Sequence, residues 1–152
     1  MGHPEYNWYQ LPARDAIAHG NIKRSNQWPN SSFYTNWLSE NDSITFEIEV
    51  LEEADYESTI YYTCAKENTG VNMALHFEGE QLNFKISEAH DPPLTGEEND
   101  RYKRKVSFVK DFKPLTIGKI HLNKGVGLLT LNALEIPGNA AIDFRLLMLN
   151  KK

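Results

Sequence analysis

Apolar and polar residues alternate along most of the chain after position 43. In the stretch 43–50 every second residue is apolar, and the residues between are polar or charged. A period of two is typical of a β-strand that buries one face and leaves the other in water. The pattern therefore predicts a strand whose buried face is formed by Ile44, Phe46, Ile48 and Val50.

The same alternation recurs along the chain, interrupted by turn signals. A tight hairpin is predicted at Glu78-Gly79-Glu80, and Pro114 separates two strand-like pieces that form either one bent strand or two strands. No stretch of ten or more residues keeps a helical period, although 13–19 could form one turn. Further strand faces are predicted at 56–64, 71–77, 82–86, 106–112, 116–122, 126–134 and 142–149.

Seven or eight short strands in 152 residues predict one all-β domain, an antiparallel β-sandwich. The net charge of −5 argues against nucleic-acid partners, and no apolar run is long enough to span a membrane. Residues 1–6 lack a secretory signal. The chain is therefore either cytoplasmic or a domain of a longer secreted protein.

A single cysteine, Cys64, falls in an alternating strand and is expected to be a buried, inert thiol.

The sequence contains no motif typical of an enzyme. The five histidines are scattered without the spacing of a metal-binding pair, and a Gly-x-Ser-x-Gly motif and phosphate-binding glycine loops are absent. We therefore expect no catalysis, no cofactor and no metal. A glycosidase that brings two distant carboxylates together remains the third alternative.

Several short motifs resemble the galactose-binding-domain-like jelly roll of carbohydrate-binding modules in families 6 and 35. They are Asp42-Ser-Ile-Thr-Phe-Glu-Ile-Glu-Val50, Ala54-Asp-Tyr56 before the strand to Cys64, and Leu122-Asn-Lys-Gly125 before Leu129-Thr-Leu131. Two more motifs are similar to modules at the C-terminus of bacterial secreted sulfatases: Leu11-Pro-Ala-Arg-Asp-Ala16 with His19-Gly20, and Ala140-Ala-Ile-Asp-Phe-Arg145.

This resemblance implies the domain organisation and a function. Residues 1–10 would be an N-terminal extension and 11–150 a single carbohydrate-binding-like module. The module would bind an acidic or sulfated polysaccharide without catalysis, outside the cell or in the periplasm, as part of a parent enzyme whose catalytic domain it accompanies. The alternative is a structural module that packs on that domain and binds no sugar.

The resemblance also bears on a structural calcium ion. Related modules often use an early Glu and a late Asp to hold calcium, and here Arg14 replaces the Glu while Asp143 remains. Because an arginine keeps its charge at any working pH, it cannot share a cation's place. We therefore expect an Arg14–Asp143 ion pair in place of the ion.

The polar loop 26–37 is rich in aromatic residues. A protein recognises a sugar by placing a flat ring against its C–H face, with polar side chains around that ring. Trp28 and Tyr34 are therefore candidate sugar platforms. Trp37 either contacts sugar or packs in the core, and Phe33 is expected in the core. Exposed rings would favour binding, whereas buried rings with an apolar patch elsewhere would favour the packing module.

Other loops are expected at the same end of the sandwich. Antiparallel strands would bring the loop 65–70, with Lys66 and Asn68, next to the aromatic loop. If 106–122 is one strand, the loop 137–139 joins them, and the resemblance implies that Asn139 contacts sugar. The basic run 101–105 is either a solvated loop or a sulfate-binding site that uses Arg101 and Arg104, with Lys23, Arg24 and Lys66 nearby.

Overall fold

The computed structural model describes residues 5–25, 32–91 and 112–152, which form two antiparallel β-sheets around one core. Sheet A contains β1 (Trp8–Pro12), β3 (Lys23–Arg24), β4 (Tyr34–Thr35), β6 (Ala54–Thr63), β9 (Lys113–Leu122) and β11 (Asp143–Lys151). Sheet B contains β2 (Ile17–His19), β5 (Ser43–Val50), β7 (Val71–Phe77), β8 (Glu80–Ile86) and β10 (Gly125–Glu135). The predicted antiparallel β-sandwich is confirmed.

The strand order explains how a continuous core forms. Sheet A runs β3-β4-β11-β6-β9, with β1 also paired to β11, and sheet B runs β2-β5-β10-β7-β8. The long strands β5, β6, β7, β10 and β11 occupy the middle of the two sheets. Their inward residues form the core, which includes Ile44, Phe46, Tyr56, Ile60, Tyr62, Val71, Leu75, Leu129, Leu131, Phe144, Leu147 and Leu149.

The predicted alternation is confirmed in β5 with one exception. The four apolar positions are buried and the two glutamates are exposed, but Thr45 is also buried. Its Oγ1 lies 2.9 Å from Nε2 of His19, which belongs to the neighbouring strand β2. The short edge strand β2 therefore covers Thr45, a position that the alternating pattern predicts to be exposed to solvent.

The strand that contains Pro114 is unbroken from Lys113 to Leu122. Proline has no N–H to give to a neighbouring strand, so it is found on edge strands. Here β9 is the edge strand of sheet A and pairs only with β6 among the described residues. Pro114 therefore does not interrupt this strand. The piece predicted at 106–111 lies outside the described residues, so whether 106–122 forms one strand stays a prediction.

The last strand, β11, holds sheet A together. One of its edges pairs with β6, and its other edge is shared by β1 and β4. The β1 ladder extends from Trp8↔Asn150 to Pro12↔Leu146, and the β4 contact is Tyr34↔Phe144. A β-bulge between Phe144 and Leu146 separates the two partners.

The N-terminal boundary of the fold lies earlier than position 11. Residues Trp8–Gln10, which the sequence pattern assigns to an extension, pair with Met148–Asn150 and belong to sheet A. The turn considered for 13–19 is a 3₁₀ helix at Ala13–Asp15, and β2 follows it. Cys64 is buried as expected, and burial raises the pKa of its thiol to about 11, so it stays protonated near neutral pH.

The two sheets approach each other closely at Gly118. A Cβ at this position would lie 2.9 Å from Cδ1 of Leu82 in β8, and the backbone φ is +131°. We expect Gly118→Ala to destabilise the protein by about 1–3 kcal/mol more than Gly79→Ala, because of overpacking. Gly79 also has a positive φ, of +88°, but a methyl group added there would meet nothing within 4 Å.

Chemical denaturation of the two glycine variants measures this difference. Adding Leu82→Ala to Gly118→Ala should recover part of the loss, since it removes the atom that the new methyl meets. Equal stability of Gly118→Ala and Gly79→Ala would contradict the contact.

His121 on β9 contacts two carboxylates of the β5–β6 turn region. Its Nδ1 lies 2.8 Å from Oδ1 of Asp55, and its Nε2 lies 3.8 Å from Oε2 of Glu53. The hydrogen bond to Asp55 raises the pKa of His121 above its ordinary value. Because the folded-state pKa is the higher one, this contact stabilises the fold fully below the unfolded-state pKa of about 6.5.

We therefore expect the stabilisation by His121 to disappear as pH rises through its folded-state pKa. NMR titration of the imidazole C–H signals should give a lower pKa for His121 in the Asp55→Asn variant than in the unchanged protein. At about pH 6 the unchanged protein should have a larger free energy of unfolding than Asp55→Asn. This difference should shrink as the pH rises to roughly two units above the ordinary histidine pKa. If the Asp55→Asn substitution leaves the pKa of His121 unchanged, the contact between the two side chains is refuted.

Candidate functional site

Two of the predicted aromatic platforms are core residues. Tyr34 is buried, and its hydroxyl donates a 2.6 Å hydrogen bond to the carbonyl of Ala16. Trp37 is 1% exposed, and its carbonyl accepts a bond from the backbone N–H of Ala141. Phe33 is buried, as expected. Because a sugar needs an open ring face, the structure corrects the assignment of Tyr34 and resolves the alternative for Trp37 in favour of the core.

Three predicted site residues lie outside the described part of the chain. They are Trp28 in the aromatic loop, and Arg101 and Arg104 in the basic run. Their assignment to a sugar or sulfate site stays a prediction.

The remaining loop residues do come together at one end of the sandwich, as predicted. The backbone N–H of Asn139 donates to Oδ1 of Asn68 at 3.0 Å, and a bridge joins Cys64 to His90. Lys66 begins the 3₁₀ turn that contains Asn68 and is exposed. Beside these loops lies a polar cavity of about 190 Å³, lined by Thr63, Cys64, Ala65, Asn68, Asp91, Ala140, Ala141, Ile142 and Asp143.

Arg14 and Asp143 each have a side-chain contact with another residue. Arg14 Nε lies 3.8 Å from Oδ1 of its neighbour Asp15, while Asp143 Oδ2 accepts a hydrogen bond from Thr63 Oγ1 at 3.5 Å. Arg14 belongs to the 3₁₀ turn after β1, where the chain has already left the β11 ladder that would bring it to Asp143. Both residues also have interactions beyond these two, so the Arg14–Asp143 ion pair stays a prediction.

A groove crosses the outer face of sheet A, over β1, β11 and β6. The strand registers place its residues in two complete rows: Trp8, Asn150 and Glu57 form one row, and Gln10, Met148 and Thr59 form the next. Tyr61 follows Thr59 on the same face of β6 and completes the lining. We call these seven residues the sheet A groove.

The sheet A groove combines an open aromatic ring with hydrogen-bonding side chains. Trp8 is 57% exposed, and the groove volume of about 380 Å³ lies in the range of ~300–1,000 Å³ that is usual for ligand sites. Gln10 and Asn150 supply amides, which both donate and accept hydrogen bonds, as sugar hydroxyls do.

The two aromatic residues lie at opposite corners of the groove. Trp8 and Tyr61 are two strands and four residues apart, which corresponds to roughly 10 Å across the sheet and roughly 13 Å along it. An extended ligand that lies diagonally over Met148 could contact both rings. The geometry therefore suits a chain-like ligand better than a single compact one.

Among the residues that the structure describes, Glu57 is the only one with a charged side chain that lines the sheet A groove. Its Oε1 lies 3.9 Å from Nζ of Lys152, and both side chains are partly exposed, so this ion pair is weak. An anionic group on a ligand would not be bound within the groove itself. Any recognition of acidic groups has to use cations outside it.

Sequence reasoning missed this groove for an identifiable reason. Tyr6, Trp8 and Gln10 alternate at the start of the chain, with Tyr6 and Trp8 both more than half exposed. That alternation is a strand signal, but so short a run does not define a strand by itself. The pairing of β1 with β11 at the far end of the sequence, which creates the groove, is not visible in a local pattern.

The outer face of sheet B offers a second cavity and some exposed apolar residues. The cavity, of about 440 Å³, is lined by Asn72, Met73, Asn83, Phe84, Lys85, Leu134 and Glu135. Its one aromatic residue, Phe84, packs against the core. Val126 and Leu128 are exposed on β10, but Glu49 and Glu47 lie directly opposite them on β5. The sheet A groove is therefore the better candidate site for a sugar.

Two kinds of feature are absent from the described ranges: a group of metal-ligating side chains and a long apolar helix. Within 5–25, 32–91 and 112–152, no three histidine, cysteine or acidic residues are grouped so that they could hold a metal ion. In the same ranges, no helix has the length and apolar composition that crossing a bilayer requires.

Comparison with known proteins gives structural likeness only. No protein-family model matches the sequence. No curated protein matches it either. The fold is similar to a GH26-CBM35 β-(1,4)-mannanase from Podospora anserina, with a TM-score of 0.61 and 15% identity. That match covers 96% of this chain and 28% of the mannanase, so the chain spans about a quarter of that enzyme's length.

Two isolated modules match over their whole length. A family 35 carbohydrate-binding module from Clostridium thermocellum has a TM-score of 0.59 and 11% identity, and the match covers 97% of this chain and 100% of the module. The C-terminal family 6 module of a marine laminarinase from Zobellia galactanivorans has a TM-score of 0.60 and 10% identity, with 95% and 100% covered. The chain therefore has the fold of these modules, and at such identities the likeness extends to the fold alone.

Proposed function

We propose that this protein is a non-catalytic carbohydrate-binding module that binds a polysaccharide along the sheet A groove. The observation that supports this most is the exposed ring of Trp8 beside the amides of Gln10 and Asn150. A flat ring can hold the C–H face of a sugar while the amides bond its hydroxyls. The likeness in fold to modules of families 6 and 35 supports the same conclusion.

The sheet A groove is also a better candidate for polysaccharide binding than the loop end of the sandwich. The loop-end cavity is about half as large, at about 190 Å³ against about 380 Å³, and no aromatic residue of the described ranges lines it. Its volume falls below the range of ~300–1,000 Å³ that is usual for ligand sites. The side-chain Oδ1 of Asn68 already accepts a hydrogen bond from the backbone N–H of Asn139 there, so part of the hydrogen-bonding capacity of Asn68 is used.

We further propose that the polysaccharide is acidic or sulfated and that the module accompanies the catalytic domain of a secreted sulfatase or another glycan-degrading enzyme. The support for this is the resemblance of motifs such as Leu11–Ala16 and Ala140–Arg145 to modules of those enzymes. The basic run 101–105 is a candidate source of the positive charge. As part of such an enzyme, the module would work outside the cell or in the periplasm.

The alternative is a structural module that packs on a catalytic domain and binds no sugar. Two observations favour this packing module: Tyr34 and Trp37 are buried, and Val126 and Leu128 are exposed. However, the carboxylates of Glu47 and Glu49 opposite these two residues interrupt the apolar surface, and a stable interface needs a contiguous one. The open aromatic groove makes sugar binding the better-supported function.

The groove is tested by Trp8→Ala. We expect this change to weaken polysaccharide binding by about 1–2 kcal/mol, in the range of an aromatic contact. The melting temperature should change little, since the ring is exposed. Affinity gel electrophoresis against a panel of neutral, acidic and sulfated polysaccharides gives the measurement.

The matched control for Trp8→Ala is Leu128→Ala, which removes an exposed apolar side chain from the other sheet. It should leave retention in every gel unchanged. If Trp8→Ala and Leu128→Ala migrate alike in all polysaccharides, the groove is not the binding site.

The acidic character of the ligand is tested by salt. Screening over about 8–10 Å at physiological ionic strength weakens exposed charge contacts, whereas stacking on a neutral sugar responds little. We expect affinity for a sulfated polysaccharide to fall steeply from low to moderate salt, and to fall again in the double variant Arg101→Ala/Arg104→Ala. A Lys124→Ala variant, which removes a cation from the β9–β10 turn, is the control. Equal, salt-insensitive affinity for the sulfated and desulfated polymer would refute an acidic ligand but not the groove.

A further inference from the structure

A β-bulge near the end of β10 shapes the cavity on the outer face of sheet B, which we call the sheet B cavity. The register against β7 passes from Ala133↔Met73 directly to Glu135↔Asn72, so Leu134 is the extra residue. Its side chain is 42% exposed, and Glu135 is exposed as well. The bulge therefore turns two successive side chains away from the core, and both line the cavity.

Four polar side chains from three neighbouring strands line the sheet B cavity. Asn72 pairs with Glu135 on β10 and with Lys85 on β8, so these three residues form one row across the sheet. Asn83 is two residues from Lys85 and is exposed on the same face of β8. Directly paired residues have Cβ atoms roughly 5 Å apart, and residues two apart on a strand are separated by roughly 7 Å. One small ligand can therefore contact all four side chains.

The hydrogen bonds within the cavity leave specific groups available. Asn72 Nδ2 donates to Oε2 of Glu135 at 3.0 Å, so Oδ1 of Asn72 remains as an acceptor. Oδ1 of Asn83 accepts from Nε2 of Gln81 at 2.6 Å, so the amide N–H groups of Asn83 remain as donors. Within 5–25, 32–91 and 112–152, no residue forms an ion pair with the exposed ammonium of Lys85. The cavity thus has donors and a positive charge on the β8 side and acceptors on the β10 side.

An acidic sugar matches this distribution of groups. Its anion, a carboxylate or a sulfate ester, can accept hydrogen bonds from Lys85 and Asn83, and bonds to a charged group are stronger than neutral ones. Its ring hydroxyls both donate and accept, as bonding to Asn72 Oδ1 and to the carboxylate of Glu135 requires. That carboxylate repels an anion, but it lies two strands from Lys85, roughly 10 Å away.

The size of the cavity agrees with such a ligand. Its volume of about 440 Å³ lies in the range of ~300–1,000 Å³ that is usual for ligand sites. Phe84, the one aromatic residue in its lining, packs against the core and is only partly exposed. Charge and hydrogen bonds, rather than stacking on an open ring, would therefore hold a ligand here.

We propose that the sheet B cavity is a second binding site, for an acidic sugar unit whose anionic group bonds to Lys85 and Asn83. This goes beyond the proposed function, because the cavity and the sheet A groove lie on opposite sheets. A protein with both sites would bind two polysaccharide chains, or two segments of one chain. Engaging both sites on one polymer would raise the apparent affinity well above that of either site alone.

Sodium glucuronate, glucose 6-sulfate and glucose are the probes of the sheet B cavity. In ¹⁵N-labelled protein, at constant ionic strength set with sodium chloride, at least one of the two acidic sugars should shift the side-chain amide signals of Asn72 and Asn83 saturably. Glucose should not. A response to glucuronate alone identifies a carboxylate as the bound anion, and a response to glucose 6-sulfate alone identifies a sulfate. Lys85→Gln should weaken the binding of the responding sugar at least about tenfold, the usual effect of losing a hydrogen bond to a charged group.

Lys124→Gln is the charge-matched control for Lys85→Gln, because it removes a cation from the turn at the other end of β10. It should keep the response to the acidic sugar. The site would be overturned by acidic sugars that give no saturable shift or only the shift that glucose gives, or by a Lys85→Gln variant that binds as Lys124→Gln does.

Trp8→Ala separates this site from the sheet A groove. It should leave the response of Asn72 and Asn83 unchanged, and a response lost in Trp8→Ala would place the acidic sugar in the groove and overturn the second site. If Trp8→Ala does not affect retention by any polysaccharide, the proposed function fails, whereas the Lys85-dependent response still establishes the sheet B cavity.

Discussion

The pairing of β11 is the constraint on which the rest of sheet A depends. A single strand edge accepts β1 along one half and β4 at the other, and the bulge at Arg145 lies where one partner ends and the other begins. The first strand is thereby brought beside the last one, which places Trp8 and Gln10 in line with Met148 and Asn150. Without this pairing β1 would not lie beside β11, and the groove would lose one of its three strands.

The fold class could be predicted because alternation is a local property of the sequence. The buried positions of β5, β6 and β7 follow the period of two, with one additional buried residue in each strand: Thr45, Thr63 and Ala74. The hairpin at Glu78-Gly79 has the positive φ angles that such turns use. Thr45 departs from the pattern because a residue distant in sequence, His19, covers it. Contacts of that kind are set by strand order, and strand order is not encoded in any one stretch of residues.

The residues of the candidate site were also only partly predictable from the sequence. The meeting of the loops that contain Asn68 and Asn139 followed from antiparallel connections only on the condition that 106–122 forms one strand. Composition alone could not separate a ring on the surface from a ring in the core: Tyr34 and Trp37 stand among polar residues and are nevertheless buried. The sheet A groove needs the pairing of the two termini of the domain, so Trp8 could not be assigned to it in advance.

The fold itself does not decide between a sugar-binding and a packing module, because the same sandwich can support either. The decision depends on surface chemistry. An open ring beside amides, on a face with one weakly paired carboxylate, suits the C–H faces and hydroxyls of a sugar.

On the proposed function, the polysaccharide lies in the sheet A groove and not at the loop end. The most direct measurement is a crystal structure of the protein with an oligosaccharide cut from whichever polysaccharide retains it best. We expect the sugar to lie across Met148, with one ring against the indole of Trp8 and hydroxyls bonded to Gln10 and Asn150. A sugar bound instead beside Asn68 and Asn139, with Trp8 left in solvent, would contradict the account.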